Sequence, residues 1–419
     1  MPASNRGTTN ILTKSSSRKS PVRLAYIGCA YKNGLYSHNC SNMVESLRAN
    51  DVEVEVVTSN CRCFSSAHRF AITEDELITR NCSAVRLPHV PANPSKRLGM
   101  AKYHAVKILR LDLWLAILRG FSYYQRSAHA DVIHFDQVLE AFGAVPLFVV
   151  IGLASLMRKR VVANVHEIDP FQRKHKWLNR LYDKCSEVFV YSEHMKKELV
   201  ALGARPETIR TIRYGAAIPE RRMHPRAHYI YFGGHYILKG KGYWQLLEAL
   251  VILKDRTRDV SVLIHVGHGC NGLVEAQAMA TQLGVAGMLK WAEFFTSDEL
   301  AEAYQKSKAC LIPFTGGSAR HPVTCAMANG TPIVATRAVD IPEYVGNLGI
   351  YVDGSAESIA EALEQIEEGK HDLERLGASL REKAIAELDH NKVAQGLTAI
   401  YSEINSRSRL VTITPNSAA

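Results

Sequence analysis

Four short stretches bring together residue types that can hold or move charge. In "FTGGSARHPVTCAMANG", Phe314 to Gly330, glycines leave backbone N–H groups free to face an anion. Proline suits a first helical turn, so His321-Pro322 marks a helix start, and Gly330 is a suitable C-cap. Gly316, Gly317, Ser318, Arg320 and His321 are therefore candidates to hold a diphosphate. In "YFGGHYILKGKGYWQLLEAL", Gly233 and Gly234 follow an apolar strand, and Lys239 and Lys241 precede a helix whose N-terminus favours negative charge. Alone, that stretch reads better as a tight turn with solvated lysines. Two such loops on one sheet support each other. In "VVANVHEIDPF", His166 and Glu167 follow a buried strand. His166 is a candidate for hydrogen bonding to a hydroxyl or for proton transfer, with a purely structural histidine as the alternative. "DVIHFD" places His134 and Asp136 at another strand end, and Asn33-Gly34 forms a turn after the first strand. With no HExxH, CxxC pair or DxD pair, no required metal is expected.

The elements that must position these residues follow one pattern. Apolar runs such as "VRLAYIGCAY", "VEVEVVTS", "ADVIHFD", "RKRVVANVHE" and "SEVFVYSE" alternate with helical segments. Such runs predict a parallel sheet covered by helices on both faces, an α/β fold. Ligands in these sheets bind beyond the C-terminal strand ends. The pattern breaks in "RYGAAIPERRMHPRAH" and restarts at "HYIYFGG". The expected organisation is a basic tail over 1–20 and a first domain over 21–215. A second doubly wound domain follows over 216–390, then a C-terminal helix and tail over 391–419 that return toward the first domain. A cleft between two such domains is the default site.

Composition narrows the partners. The chain has 419 residues and a net charge of +10. Residues 1–200 carry 28 Lys and Arg against 17 Asp and Glu, and the remainder 23 against 24, so the excess lies in the first half. A solvated basic surface is one reading; a face for an anionic membrane or anionic acceptor is the other. No zinc-finger spacing, RNA-binding aromatic motif or basic heptad run points to nucleic acid. The nine scattered cysteines read as free thiols of a reducing compartment. The first 20 residues lack a signal-peptide apolar core; they read as a disordered tail, with a transit peptide as the alternative. Residues 141–157 are uncharged and contain Pro146; they read as a buried helix, with a membrane-surface role as the alternative. The segment 100–128 reads as a packing helix, or as one lying on a membrane because of its Trp, Tyr and Arg content.

From about residue 21 to 400 the chain resembles the GT-B glycosyltransferases, specifically family 4, the sugar-nucleotide-dependent transferases. The resemblance is carried by the order and spacing of "DVIHFD", "VVANVHEIDPF", "VFVYSEHMKKELVALGARPETIRTIRYGAAIP", "YFGGHYILKGKGYWQLLEAL", "HVGHG" and "HPVTCAMANGTPIVATRAVDIPEYVGNLGIYVDG". It implies two Rossmann-like domains facing across a cleft. The second would bind a nucleoside-diphosphate sugar, which is the donor substrate, with no further cofactor. The first would bind a glycan or lipid-linked acceptor through Asn33, Gly34 and Glu167, with His166 near the transferred sugar. Lys239 takes the family's diphosphate-binding lysine role. The resemblance also implies a metal-independent, retaining enzyme of polysaccharide biosynthesis, cytoplasmic, with a peripheral place at the inner membrane face as a further option. Three family positions depart from the pattern. Gly234 stands where an arginine is usual, and Gly317 and Cys325 stand where the family has paired glutamates. A degenerate GT-B protein that binds without transfer is the alternative this leaves open.

Overall fold

The computed structural model describes residues 21–28, 35–59, 82–85, 111–136, 144–168, 170–221, 229–234, 240–266, 272–292 and 297–411. Strands β1 (Val22–Ile27), β2 (Val52–Ser59), β3 (Cys82–Val85), β4 (Val132–Asp136), β5 (Arg160–Asn164), β6 (Glu187–Val190) and β7 (Ile209–Thr211) form one sheet. Its order is β3-β2-β1-β4-β5-β6-β7, and every pairing is parallel. The strand order reverses between β1 and β4, where loops diverge and leave a crevice. Helices α1 (Leu35–Ala49), α2 (Leu111–Ser127), α3 (Ala144–Leu156), α4 (Pro170–Lys174) and α5 (Glu193–Ala201) belong to this half.

The second sheet takes β8 (Ile230–Phe232), β9 (Val262–His265), β10 (Leu289–Ala292), β11 (Cys310–Ile312), β12 (Ile333–Thr336) and β13 (Ile350–Val352) in the order β10-β9-β8-β11-β12-β13, again parallel. Its order reverses between β8 and β11. The helices are α6 (Tyr243–Asp255), α7 (Leu273–Gln282), α8 (Ser297–Lys306), α9 (Arg320–Asn329), α10 (Ile341–Val345), α11 (Ala356–Glu367) and α12 (Leu373–Glu387). A last helix, α13 (His390–Val411), packs against α1, β1 and β4 of the first half, as its apolar positions anticipate. Val393, Ala394, Leu397, Tyr401 and Ile404 share one core with Val22, Leu24, Val44 and Leu47.

Burial on both faces explains the continuous apolar strands: β4 and β6 are buried at every residue. A single apolar cluster crosses the domain boundary, joining Tyr191, Met195 and Tyr214 to Ala319, Val323 and Tyr344. Two elements differ from expectation. The short strands β3 and β7, four and three residues long, lacked a long apolar run to reveal them. Helix α3, expected to be buried all round, buries Leu147, Val150, Ile151 and Ala154 but exposes Phe148 and Leu156. Its Gly152 has open space beside it, so one face is not packed.

Candidate active site

The C-terminal ends of β4 and β5 build a buried polar cluster. Asp136 is the last residue of β4, Asn164 the last of β5, and His166 follows two residues later. His166 Nε2 lies 2.6 Å from Asp136 Oδ1, Asn164 Nδ2 donates to the same oxygen at 2.8 Å, and the Cys40 thiol donates to Oδ2 at 2.7 Å. Tyr191 Oη accepts from Asn164 at 2.6 Å and sits 3.0 Å from His166 Nε2. Burial pushes the Asp136 carboxyl up, yet the His166 charge and hydrogen bond, His134 and the Cys40 donation outweigh it and hold the group well below the ordinary carboxylate range. Asp136 is thus an ionised anchor that fixes the His166 ring, the arrangement a positioned imidazole needs. His134, on the same face of β4, turns to the C-terminal helix: its Nδ1 lies 2.6 Å from Tyr401 Oη. Burial lowers its pKa to about 4, so it is neutral at pH 7.

In the second half the glycine-rich loop follows β11, beside β8. The Thr315 and Gly316 amides donate to the Gly240 carbonyl at 2.8 and 3.3 Å, which ties the loop to the turn before α6. Gly317 adopts φ +72°, a left-handed conformation that suits glycine. Lys241 Nζ donates to the Ser318 carbonyl at 2.8 Å and stands 4.1 Å from the Phe314 ring centroid. Burial lowers the Lys241 pKa, and the neighbouring Glu167 charge opposes that shift. A Cβ at Gly233 would come within 2.9 Å of Pro322 Cβ, and one at Gly234 within 2.7 Å of the Phe232 ring. Close packing of the β8 end onto α9 accounts for Gly233, whereas at Gly234 the obstacle is the ring of Phe232 in β8 itself.

The two halves meet here. Arg320, at the start of α9, is 4% exposed. Its Nη1 is 2.7 Å from Asp340 Oδ2 and 2.9 Å from Met195 Sδ, and its Nη2 donates to the His166 carbonyl. Burial favours loss of its proton, but Asp340 outweighs this and the guanidinium stays charged. Nearby, Glu343 of α10 accepts from the Glu193 and His194 amides at 2.7 and 2.8 Å, adding a carboxylate to the N-terminus of α5. Tyr344 donates to the Tyr191 carbonyl at 2.7 Å. The His166-Glu167 segment is in this way pinned against the glycine-rich loop.

The expected site residues fall into three groups. Glu167, Gly316, Gly317 and Ser318 come together at the domain junction, with His166 behind Glu167. Arg320 is adjacent, but both of its terminal nitrogens are engaged within the protein, by Asp340 and Met195 at Nη1 and by the His166 carbonyl at Nη2. His321 faces Cys325, its Nε2 3.6 Å from the sulfur, whose thiol burial pushes up to about 12. Lys239, Asn33 and Gly34 lie outside the described residues. Lys241 is the described lysine that reaches the loop; the "KGK" spacing had placed both lysines before α6 without separating them.

Residues 40–216 match the model of the family described as Glycosyltransferase Family 4. Residues 227–368 match that of Glycosyl transferases group 1. A mannosyltransferase named MMP alpha-(1->4)-mannosyltransferase, from Mycolicibacterium hassiacum, is 28% identical over 171 residues; the match spans 40% of this chain and 41% of that protein. The chain thus spans about two fifths of the length of that curated relative. Among solved structures, sucrose-phosphate synthase from Thermosynechococcus elongatus superposes with a TM-score of 0.71 at 16% identity, covering 92% of this chain and all of that one. Anabaena HepE in complex with UDP gives 0.67 at 15% identity, over 91% of this chain and all of that one. With one model on each half, and a fold shared along nearly the whole chain, this protein belongs to the GT-B glycosyltransferases of the family 4 type.

Proposed function

We propose that the protein transfers a sugar from a nucleoside-diphosphate sugar to a glycan or lipid-linked acceptor, in polysaccharide or glycoconjugate biosynthesis. The observation that carries this reading is the convergence of Glu167, Lys241 and the 316–318 loop beyond the C-terminal strand ends of the two sheets, the latter two at the β8/β11 strand-order reversal. A departing nucleotide is a polyanion, so its stabilisation dominates the barrier. Lys241, Lys239 and the amides at the start of α9 supply positive charge for it. UDP in the related HepE structure supports a nucleotide donor, and the mannosyltransferase relative supports hexosyl transfer. His166, oriented by Asp136, stands on the acceptor side. Transfer is retaining and metal-independent in this reading, so EDTA leaves activity unchanged.

The test is a thermal-shift screen of sugar nucleotides, followed by transfer and donor-hydrolysis assays on wild type, Lys239→Ala and Lys241→Ala. Absence of stabilisation by every sugar nucleotide refutes the donor site. Gly317 and Cys325, standing at the family's glutamate positions, favour a second reading in which the protein binds without transfer. Binding with no turnover across a broad acceptor panel selects it. The exposed Trp114, Leu118 and Phe121 of α2, within the basic half, support association with an anionic membrane surface. No helix among the described residues is long and apolar enough to cross a membrane. Salt-insensitive failure to sediment with anionic vesicles refutes the surface role.

A further inference from the structure

The absent side chain at Gly317 leaves a space, and the first domain fills it. A Cβ built on Gly317 would lie 3.6 Å from Glu167 Oε1 and 3.4 Å from Lys241 Nζ. The carboxylate therefore enters the second domain's glycine-rich loop from across the cleft, at the place a side chain of residue 317 would begin. The approach is built by the fold. Arg320 holds the carbonyl of His166, the residue before Glu167, and Asp340 holds Arg320. Asp136 holds the His166 ring from the other side. Glu167 and Lys241 are both half-buried and face each other, so the carboxylate has a partner of opposite sign and a route to solvent.

We propose that Glu167 is a donor-sugar ligand: its carboxylate, delivered from the first domain, accepts hydrogen bonds from hydroxyls of the transferred sugar. Lys241 and the 316–318 loop face the diphosphate. This rests on the donor site argued above and reassigns Glu167 from the acceptor to the donor. A carboxylate that enters from the opposite domain contacts the sugar when the two halves are together, which couples sugar recognition to domain approach. A Cβ at 317 would make only ordinary contact with Glu167, but a longer side chain would reach into the carboxylate's place, and any side chain would be strained at φ +72°.

The test separates the sugar from the nucleotide. Calorimetric titration of the full chain compares UDP with UDP-glucose and GDP with GDP-mannose, in wild type, Glu167→Gln, Glu167→Asp and Gly317→Met. Hydrogen bonds to a charged group are each equivalent to about a tenfold or greater change in affinity. Wild type should bind the sugar nucleotide of one pair at least about tenfold more tightly than its nucleotide. Glu167→Gln should abolish that difference while leaving nucleotide affinity within about twofold, and Glu167→Asp should restore part of it. Gly317→Met, whose long side chain reaches past the Cβ into the carboxylate's place, should reduce it by displacing the carboxylate, a check that leaves Glu167 itself intact. Equal loss of nucleotide and sugar-nucleotide affinity in Glu167→Gln overturns the inference, as does an unchanged difference in any Glu167 or Gly317 variant that folds. Failure of wild type to bind any of the four compounds, or any sugar nucleotide of the thermal-shift screen, instead refutes the donor site itself.

Discussion

The ion pair between Arg320 and Asp340 is open to a quantitative test. Both side chains are at most 5% exposed, and the nitrogen–oxygen distance is 2.7 Å. Removing one member of a buried pair strands the other charge and destabilises by about 3–5 kcal/mol. Arg320→Met leaves the Asp340 carboxylate buried and removes the donor to the His166 carbonyl, so its effect belongs at the upper end. Asp340→Leu leaves a guanidinium that still has the His166 carbonyl and Met195, which places it at the lower end. The double variant Arg320→Met/Asp340→Leu removes both charges and keeps the volume apolar. It should cost about 1–3 kcal/mol, chiefly for the unpaired carbonyl, so the two changes should fall short of additivity by about 3 kcal/mol or more. Urea unfolding of the full chain checks this. Trp114 and Trp177 report on the first half and Trp244 and Trp291 on the second, which separates the domains if they unfold in steps. Additivity within about 0.5 kcal/mol would refute the claim that the two residues act as one unit.

Three buried histidines predict acid lability. His134, His265 and His390 have pKa values lowered by burial to about 4. Unfolded histidine titrates near 6.5, so the unfolded chain takes up protons first. Stability then falls as pH drops from about 6.5 toward 4, by up to about 3 kcal/mol per histidine. Unfolding midpoints that stay flat between pH 7 and 5 would contradict this. Gly242→Ala should destabilise by about 2–4 kcal/mol, because φ is +74° and a Cβ would meet the Pro313 carbonyl at 2.3 Å. The matched control Gly152→Ala, helical with open space around it, should stabilise by about 0.5–1 kcal/mol; thermal denaturation reads both. Glu343→Ala should remove about 1 kcal/mol from the start of α5. Hydrogen exchange should accelerate at the Glu193 and His194 amides, and unchanged exchange there would disprove the cap.

Much of the fold was legible because strands buried on both faces must be apolar throughout, as in "VIHFD" and "IVAT". The left-handed cap at Gly330, φ +68°, was legible for a similar local reason. Strands β3 and β7 were not, since three or four residues at a sheet edge carry too little pattern. The site was legible as a set of loops and less so as a set of roles. Arg320 read as a phosphate ligand because a cation beside a glycine loop suggests one. Its partners are Asp340, Met195 and the His166 carbonyl, 20, 125 and 154 residues away. No local spacing encodes such a triad. The missing acids at 317 and 325 were visible at once, but that Glu167 approaches the first of those positions depends on how two domains face each other.

The chain passes between its halves twice, once after β7 and once between α12 and α13. These passages run side by side: the Ala216 amide donates to the Leu388 carbonyl at 2.7 Å, and Ala216 bridges to Asp389. Gly215 is packed so closely against His390 that a Cβ there would lie 2.4 Å from the imidazole. Two adjacent crossings joined by these contacts fix one edge of the junction between the halves. The place of Glu167 on the facing loop is thus set partly at that edge, by backbone outside the glycine-rich loop.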